Sequence, residues 1–582
     1  MKVFKVTRES PTFAKYAVEK YVKLVKKACL FYRVFGKSEP AMIKLKISCF
    51  AFILTARTPK GRCCGKKDCK RQESTLKRSP RHSIFCLLLL ALFTSAFSGT
   101  FAQSPPLDLW SSDTQLTIRD RSTLNYSISA RTGYFEVYFD SNNNATWADA
   151  VPPYAIHTGG RIRIHGYLAS PLVGGPYPAI IIGHGHHGHG SAEEATALAA
   201  LGYVALSIDG PGQGLSTGPP DTEQGWISVE ETMNVPSPYV SYQYHYAYAG
   251  MRALTLFEKL SGLFLNPFRI DRTRLGVIGA SMGGQFTYYI NGVDDRVKGA
   301  VGIAVAGDWR HISSYPGAWL YHGLYYYTRD GLQSGLDYLN TVSNFCTDPT
   351  LSTFLNYFDP IAYARTQHGP LLTIIGSHDQ FFTVPAINST YQRIASAGTS
   401  PRFRKRIMIK PNGKHGVLTE ENFYADVYEL IQDIDAWFNY CFNDGPVPPG
   451  TPTVRMEARP TTMVFHVTAP AGGSAIRQVK LYYASQMDSR PSSVRDFGHI
   501  SLSWTGLEYV GTIPIGRLPP AGPAVTPDNV IYLASVKDEA NYTLTSKLYY
   551  RSGVMAFGQG FLPIIEHYDG DMLPVPPPPY CP

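Results

Sequence analysis

The chain has 582 residues, more than one domain's length, and a formal charge of +9. That charge is unevenly placed: residues 1–103 hold 22 Lys+Arg against 5 Asp+Glu, and the remainder holds 32 against 40. The basic excess belongs to the leader, and the mildly acidic remainder argues against a nucleic-acid partner.

Within residues 1–103, basic residues from Lys66 to Arg81 precede the apolar run Ile84-Phe85-Cys86-Leu87-Leu88-Leu89-Leu90-Ala91-Leu92-Phe93. Small residues follow, ending Gly99-Thr100-Phe101-Ala102-Gln103. This is the order of a secretory signal, placed at about 76–102, and it implies a secreted or periplasmic protein whose mature chain begins near Gln103. The run is too short for a stop-transfer helix, so no stable membrane insertion is expected after processing. Residues 1–65 are unusual ahead of a signal, and a second apolar stretch spans Ile47–Leu54. An over-extended start is the simplest reading; it needs a non-ATG start, because no Met lies between Met42 and Met233. Cys63, Cys64 and Cys69 have no second ligand pair at useful spacing, so no zinc site is read there. The mature part keeps Cys346, Cys441 and Cys581, which allow one disulfide and leave one thiol, with the pairing open.

Residues 104–155 are polar and short-stranded, and read as an N-terminal extension. Residues 156–444 alternate strands with helices. Arg161–Leu168 alternates as a half-buried strand, whereas Pro178–Gly183, Tyr203–Asp209, Leu275–Ile278, Val297–Ala304 and Leu371–Gly376 are mostly continuous apolar runs. Such runs fit strands covered on both faces. Helical stretches fall at Ala192–Leu201, Tyr246–Leu260, Tyr391–Ala397 and Asn422–Phe442. The alternation predicts a mostly parallel α/β sheet. The Tyr- and Trp-rich stretch 308–358 breaks it and is expected to cap the site. Residues 445–452 (Gly-Pro-Val-Pro-Pro-Gly-Thr-Pro) form a linker. Beyond it, 453–556 carries only short strands with turns between, which predicts a small all-β sandwich. The linker suggests that few contacts cross this boundary. The sandwich aromatics Tyr482, Tyr483, Trp504 and Tyr509 suit a packed core better than a sugar platform. The tail 557–582 is Pro-rich.

The chemistry concentrates in Gly279-Ala280-Ser281-Met282-Gly283-Gly284, directly after the apolar run 275–278. A sharp strand-to-helix turn would lift the Ser281 hydroxyl above the sheet. A serine needs a base held by an acid. Asp379, after the buried strand 371–376, is the expected acid, with Asp308 as its competitor. His415, on a loop after one further strand, is the expected base; His378 and His368 come too early in the chain. His184-Gly185-His186-His187-Gly188-His189-Gly190 has four histidines in six residues but no carboxylate or cysteine among them. An oxyanion loop is favoured over a metal site, with backbone N–H groups of His186 and Met282 as the donors and His184 structural. No cofactor or metal is expected.

On the residues 184–186, 209–216, 279–284, 294–301, Asp379 and His415-Gly416, the chain resembles the α/β-hydrolase superfamily over roughly 160–442. Within it the closest likeness is to the branch of acetyl-xylan esterases, dienelactone hydrolases and prolyl-oligopeptidase catalytic domains. The sandwich, through Tyr482-Tyr483-Ala484 and Arg495-Asp496-Phe497-Gly498, is faintly similar to the C-terminal part of PhoPQ-activated pathogenicity-related proteins. The resemblance implies a secreted serine esterase acting on a small-molecule or carbohydrate ester. The rival readings are an oligopeptidase-type peptidase and a silent hydrolase fold used for binding. About fifty residues before the first strands leave no room for an oligopeptidase propeller, which favours esters. Oligomeric state stays open.

Overall fold

A computed structural model describes residues 109–148, 156–219, 238–264, 266–309, 355–379, 381–382, 384–394, 405–419, 422–485, 496–520 and 523–550. All of these fall in one compact unit. The expected signal, most of the cap stretch, the tail, Cys346 and Cys581 lie outside the described residues. Cys441 is a free thiol. Among the described residues no helix is long and apolar enough to cross a membrane.

The helix α1 (Ser112–Arg119) opens the described chain, followed by β1 (Tyr126–Ala130), β2 (Phe135–Asp140), and a ribbon of β3 (Ala145–Ala148) with β4 (Ile156–Gly160). Then come β5 (Arg163–Ala169), β6 (Tyr177–Gly183), α2 (Ala192–Ala200), β7 (Val204–Ile208), α3 (Tyr242–Ser261), β8 (Ile270–Ala280), α4 (Met282–Val293) and β9 (Val297–Ile303). The α/β part closes with α5 (Pro360–Tyr363), β10 (Leu371–Gly376), α6 (Val384–Arg393), β11 (Lys405–Lys410) and α7 (Phe423–Phe442). One sheet joins nine of these strands in the order β1-β2-β5-β7-β6-β8-β9-β10-β11. It is parallel from β7 through β11 and antiparallel from β1 to β7.

The continuous apolar runs do sit under helices on both sides. Ala179 and Ile181 join the core beneath α3 and α4, while Ile180 and Ile182 join the core beneath α2 and α7. The strict period of two sends neighbours to opposite faces, so a run buried on both has no polar positions. The stretch 104–155 is not simply an extension: β1 and β2 complete the sheet edge, with Val137 and Phe139 fully buried. Behind them Arg252 of α3, almost wholly buried, donates to the carbonyls of Thr117, Ile118, Asp120 and Asp140. It thereby satisfies the open C-terminal carbonyls of α1.

Strand order reverses between β6 and β8: from β6 the chain crosses to β7 on one side, and from β8 it runs on to β9, β10 and β11 on the other. Ligands in open α/β sheets bind at the carboxyl ends of strands beside such a switch.

Beyond residue 452, β12 (Thr453–Ala458), β13 (Thr462–Thr468), β17 (Tyr509–Pro514) and β16 (Ser503–Trp504) form one antiparallel sheet. The strands β15 (Gly498–Ser501), β14 (Ile476–Ser485), β18 (Val530–Asp538) and β19 (Thr543–Thr545) form the other. Met463, Phe465 and Val467 face Val479, Leu481 and Val536 between them. The expectation of a thinly connected boundary fails here. Ala484, Ile531 and Leu533, on the opposite face of the β14–β18 pair, join the core of the α/β part, as do Phe497 and Leu548. Tyr542 and Leu544 pack with Trp437 and Phe438 of α7. The linker is held too, with Arg406 donating to the carbonyls of Pro448 and Pro449.

Candidate active site

Ser281 ends β8 and caps α4 with φ 59° and ψ −118°, a left-handed φ unusual for a residue with a side chain. The glycines around it are a steric requirement. A Cβ at Gly279 would sit 2.3 Å from the Gly283 carbonyl oxygen, and one at Gly283 would sit 2.1 Å from that of Gly183. Only bare backbone lets α4 start against the end of β6.

Three distant residues meet here. His415 Nε2 lies 2.9 Å from Ser281 Oγ, and His415 Nδ1 lies 2.8 Å from Asp379 Oδ2. Asp379 is buried, and its other oxygen accepts from the Phe381 and Phe382 N–H groups at 2.8 and 3.2 Å. Those bonds hold the carboxylate in place while its other oxygen meets the imidazole. The resulting tautomer has Nδ1–H donating to Asp379 and Nε2 accepting from the serine. The Phe381 ring meets the imidazole edge-on, with centroids 4.3 Å apart.

The rivals lie elsewhere. His378 Nδ1 is 2.8 Å from Ser377 Oγ, and its ring faces Phe497. His368 packs by α4's C-terminal end, donating its backbone N–H to the Asn291 carbonyl. Asp308 sits just past β9 with φ 61°, near the buried Asp359, whose carboxyl is pushed up to about 7 by burial.

The histidine loop lies against Ser281: a Cβ on Gly185 would be 3.5 Å from Ser281 Cβ. His184 is buried, with Nδ1 donating to the Gly185 carbonyl at 2.7 Å and Nε2 accepting from Gly210 N–H at 2.8 Å. Burial pushes its pKa down to about 4, so it is neutral, and both ring nitrogens are engaged by backbone. His186 stacks on His187 at 3.6 Å between centroids, and burial first, then the neighbouring histidines, lower its pKa to about 3. Among the described residues no cluster of three metal-ligating side chains is found. Met282, buried, is the first residue of α4, beside the serine.

A clamp centred on Asp209 holds this loop. Asp209 Oδ1 accepts from Gly190 N–H at 2.7 Å. Its Oδ2 accepts from Leu215 N–H at 2.9 Å and lies 2.8 Å from His165 Nδ1. Burial raises the Asp209 pKa, but the bonds from His165, Leu215 and Gly190 outweigh it and hold the carboxyl below its usual range. The signal was present in an aspartate closing a buried strand before a glycine-rich loop. A Cβ on Gly214 would fall 2.2 Å from Asp209 Oδ2.

A family profile described as "PhoPQ-activated pathogenicity-related protein" matches residues 247–497. Solved structures with similar folds include an acetyl xylan esterase from Paenibacillus sp. R4, 18% identical, covering 57% of this chain and 96% of that one, with a TM-score of 0.40. Acetyl xylan esterase 1 from Thermoanaerobacterium sp. JW/SL YS485 is 19% identical, covering 54% and 90%, with a TM-score of 0.35. An acylaminoacyl peptidase from Pyrococcus horikoshii is 14% identical, covering 56% and 57%, with a TM-score of 0.36. The strand order, the left-handed serine turn after β8 and the Ser281–His415–Asp379 contact are those of an α/β-hydrolase fold followed by a C-terminal β domain.

Proposed function

We propose that the protein is an exported serine hydrolase that cleaves carboxylic esters, either acyl groups on a carbohydrate or small esters. The observation that carries this reading is the unbroken contact from Ser281 Oγ through His415 to a buried Asp379. In this mechanism Ser281 Oγ attacks the acyl carbonyl while His415 Nε2 takes its proton. Asp379 stabilises the imidazolium through Nδ1–H. The tetrahedral oxyanion is held by backbone N–H groups of Met282 and His186, the first at the positive end of α4. His415 returns the proton to the departing alcohol, leaving an acyl-serine. A water molecule, deprotonated by His415, then releases the acid and restores the serine.

Fluorophosphonate labelling of the wild type, with Ser281→Ala as control, tests the nucleophile. Labelling at Ser281 is expected, and an unlabelled wild type would favour a silent fold. Turnover of p-nitrophenyl esters and acetylated xylan, with no turnover of peptide anilides, is expected; the reverse preference would make the protein a peptidase. Amino-terminal sequencing of exported protein should read from near Gln103.

A further inference from the structure

We propose that Asn412 is a positioning residue for the base His415, and that the C-terminal sandwich acts through it to hold the site in register. This rests on the hydrolase reading above. Asn412 lies three residues before His415, on the loop that leaves β11, with φ 62°. Its side-chain amide pairs twice with the backbone of Phe497, a sandwich residue next to β15. Phe497 N–H donates to Asn412 Oδ1 at 2.7 Å, and Asn412 Nδ2 donates to the Phe497 carbonyl at 3.2 Å. Phe497 is only 4% exposed and belongs to the shared core, so the clasp is anchored in a fixed wall.

The same asparagine reaches the acid's turn. Asn412 N–H donates to Ser377 Oγ at 2.8 Å, and Ser377 Oγ lies 2.8 Å from His378 Nδ1. His378 N–H donates to the Gly413 carbonyl at 2.9 Å, and Ser377 N–H to that of Lys410 at 2.9 Å. The loops carrying Asp379 and His415 are thus tied to each other and, through the Asn412 clasp and the His378 ring against Phe497, to the sandwich. The fit is tight: a Cβ on Gly376 would lie 2.1 Å from the Gly413 carbonyl oxygen and 2.4 Å from that of Lys414. The imidazole must keep two hydrogen bonds at once, so a shift of a fraction of an ångström in this loop weakens one of them. Misplacement by about 1 Å can cost on the order of 100-fold in rate.

Asn412→Gly keeps the left-handed backbone and removes the clasp. Asn412→Asp keeps the acceptor for Phe497 N–H and loses the donor. The readouts are ester kcat and KM, the pH dependence of kcat, and the rate of fluorophosphonate labelling, with Ser281→Ala as the blank. Asn412→Gly is expected to lower kcat and labelling by about tenfold or more with KM changed less than about threefold. Its kcat–pH limb should move, and Asn412→Asp should recover part of the loss. Wild-type kcat and labelling in a folded Asn412→Gly would overturn the proposal, as would a loss confined to KM. Should the glycine variant not fold, Asn412→Asp is decisive: reduced labelling supports the clasp, and unchanged labelling overturns it. An unlabelled wild type defeats the hydrolase reading and this one together, an outcome distinct from normal labelling in both Asn412 variants.

Discussion

The strained backbone of Ser281 and the paired bonds of His415 make the three candidate residues one unit. Removing the nucleophile or the base of such a unit costs nearly as much as removing all three. Ser281→Ala and His415→Ala should each lower ester turnover by roughly 10⁴-fold or more, and the double variant scarcely further. His378→Ala should retain activity within about tenfold, because its imidazole serves the Ser377 turn and not the serine. Steady-state kinetics check this, and a dead His378→Ala beside an active His415→Ala would reverse the assignment. A second expectation concerns acid. The native pKa of His184, about 4, lies below its ordinary 6.5, so the unfolded chain binds a proton that the folded chain refuses. The stability contributed by keeping it neutral is complete above about pH 6.5 and falls as pH drops from there toward 4. His186 and His245, lowered by burial to about 3 and about 4, act in the same direction. Melting temperatures across pH 7 to 4 should fall, and less steeply in His184→Gln; a parallel fall in both would remove His184 from the account.

Among elements, α1 shows how a surface-like segment becomes integral. Arg252 lies in the middle of α3 with its guanidinium spent on four main-chain carbonyls. Arg252→Met fills similar volume but leaves those acceptors buried and unpaired, at a cost of roughly 2–4 kcal/mol. Urea denaturation should show the lower midpoint, and an unchanged midpoint would mean that water replaces the guanidinium. The legibility of the elements follows the range of the interactions. The serine turn after β8 and the candidates Asp379 after β10 and His415 after β11, which the structure brings together, were visible because each lies in a local motif in a fixed chain order. The strands from β6 to β10 were readable because burial on both faces writes itself as an apolar run. The clamps were not, because their partners are far apart in sequence. His165 and Asp209 are separated by 44 residues, Asn412 and Phe497 by 85, and Asn388 and Leu548 by 160. No periodicity announces a pair at such distances. The role of β1 and β2 was hidden for another reason: both are short, and β1 carries no buried residue to mark its inner face.

At the scale of the whole molecule, the sheet containing β14 and β18 serves two cores at once. Val530, Ala534 and Val536 face the sandwich interior, while Ile531 and Leu533 face the α/β part. The run Val530-Ile531-Tyr532-Leu533-Ala534 carried this signal, since a strand apolar on both faces needs a cover on both. The cover is reciprocal. β11 is the edge of the large sheet, and Ile409 N–H donates to Thr545 Oγ1 at 2.8 Å, so the sandwich caps an edge that would otherwise be open to other strands. Asn388, buried in α6, grips Leu548 by the same two-point pairing that Asn412 makes with Phe497. Glu429 of α7 joins Lys410 to Lys537 of β18. Burial alone would raise its pKa, but the two lysines hold it down at about 2. Removing residues 453–582 would strip away the partners of these contacts together. It would also uncover the apolar ground on which Phe497, Ile531, Leu533, Leu544 and Leu548 rest. Each such side chain is worth about 1.5–3 kcal/mol of burial, so the set matches the roughly 5–15 kcal/mol of net stability expected of a domain. A chain ending at residue 452 is therefore expected to be insoluble or to melt far below the full-length protein, with activity on small soluble esters lost. Soluble, cooperatively melting truncated protein with wild-type turnover on p-nitrophenyl acetate would show that the two units stand alone. Turnover lost from a truncated protein that still melts cooperatively would instead show that the sandwich's contacts, the Asn412 clasp among them, support the chemistry without being needed for folding.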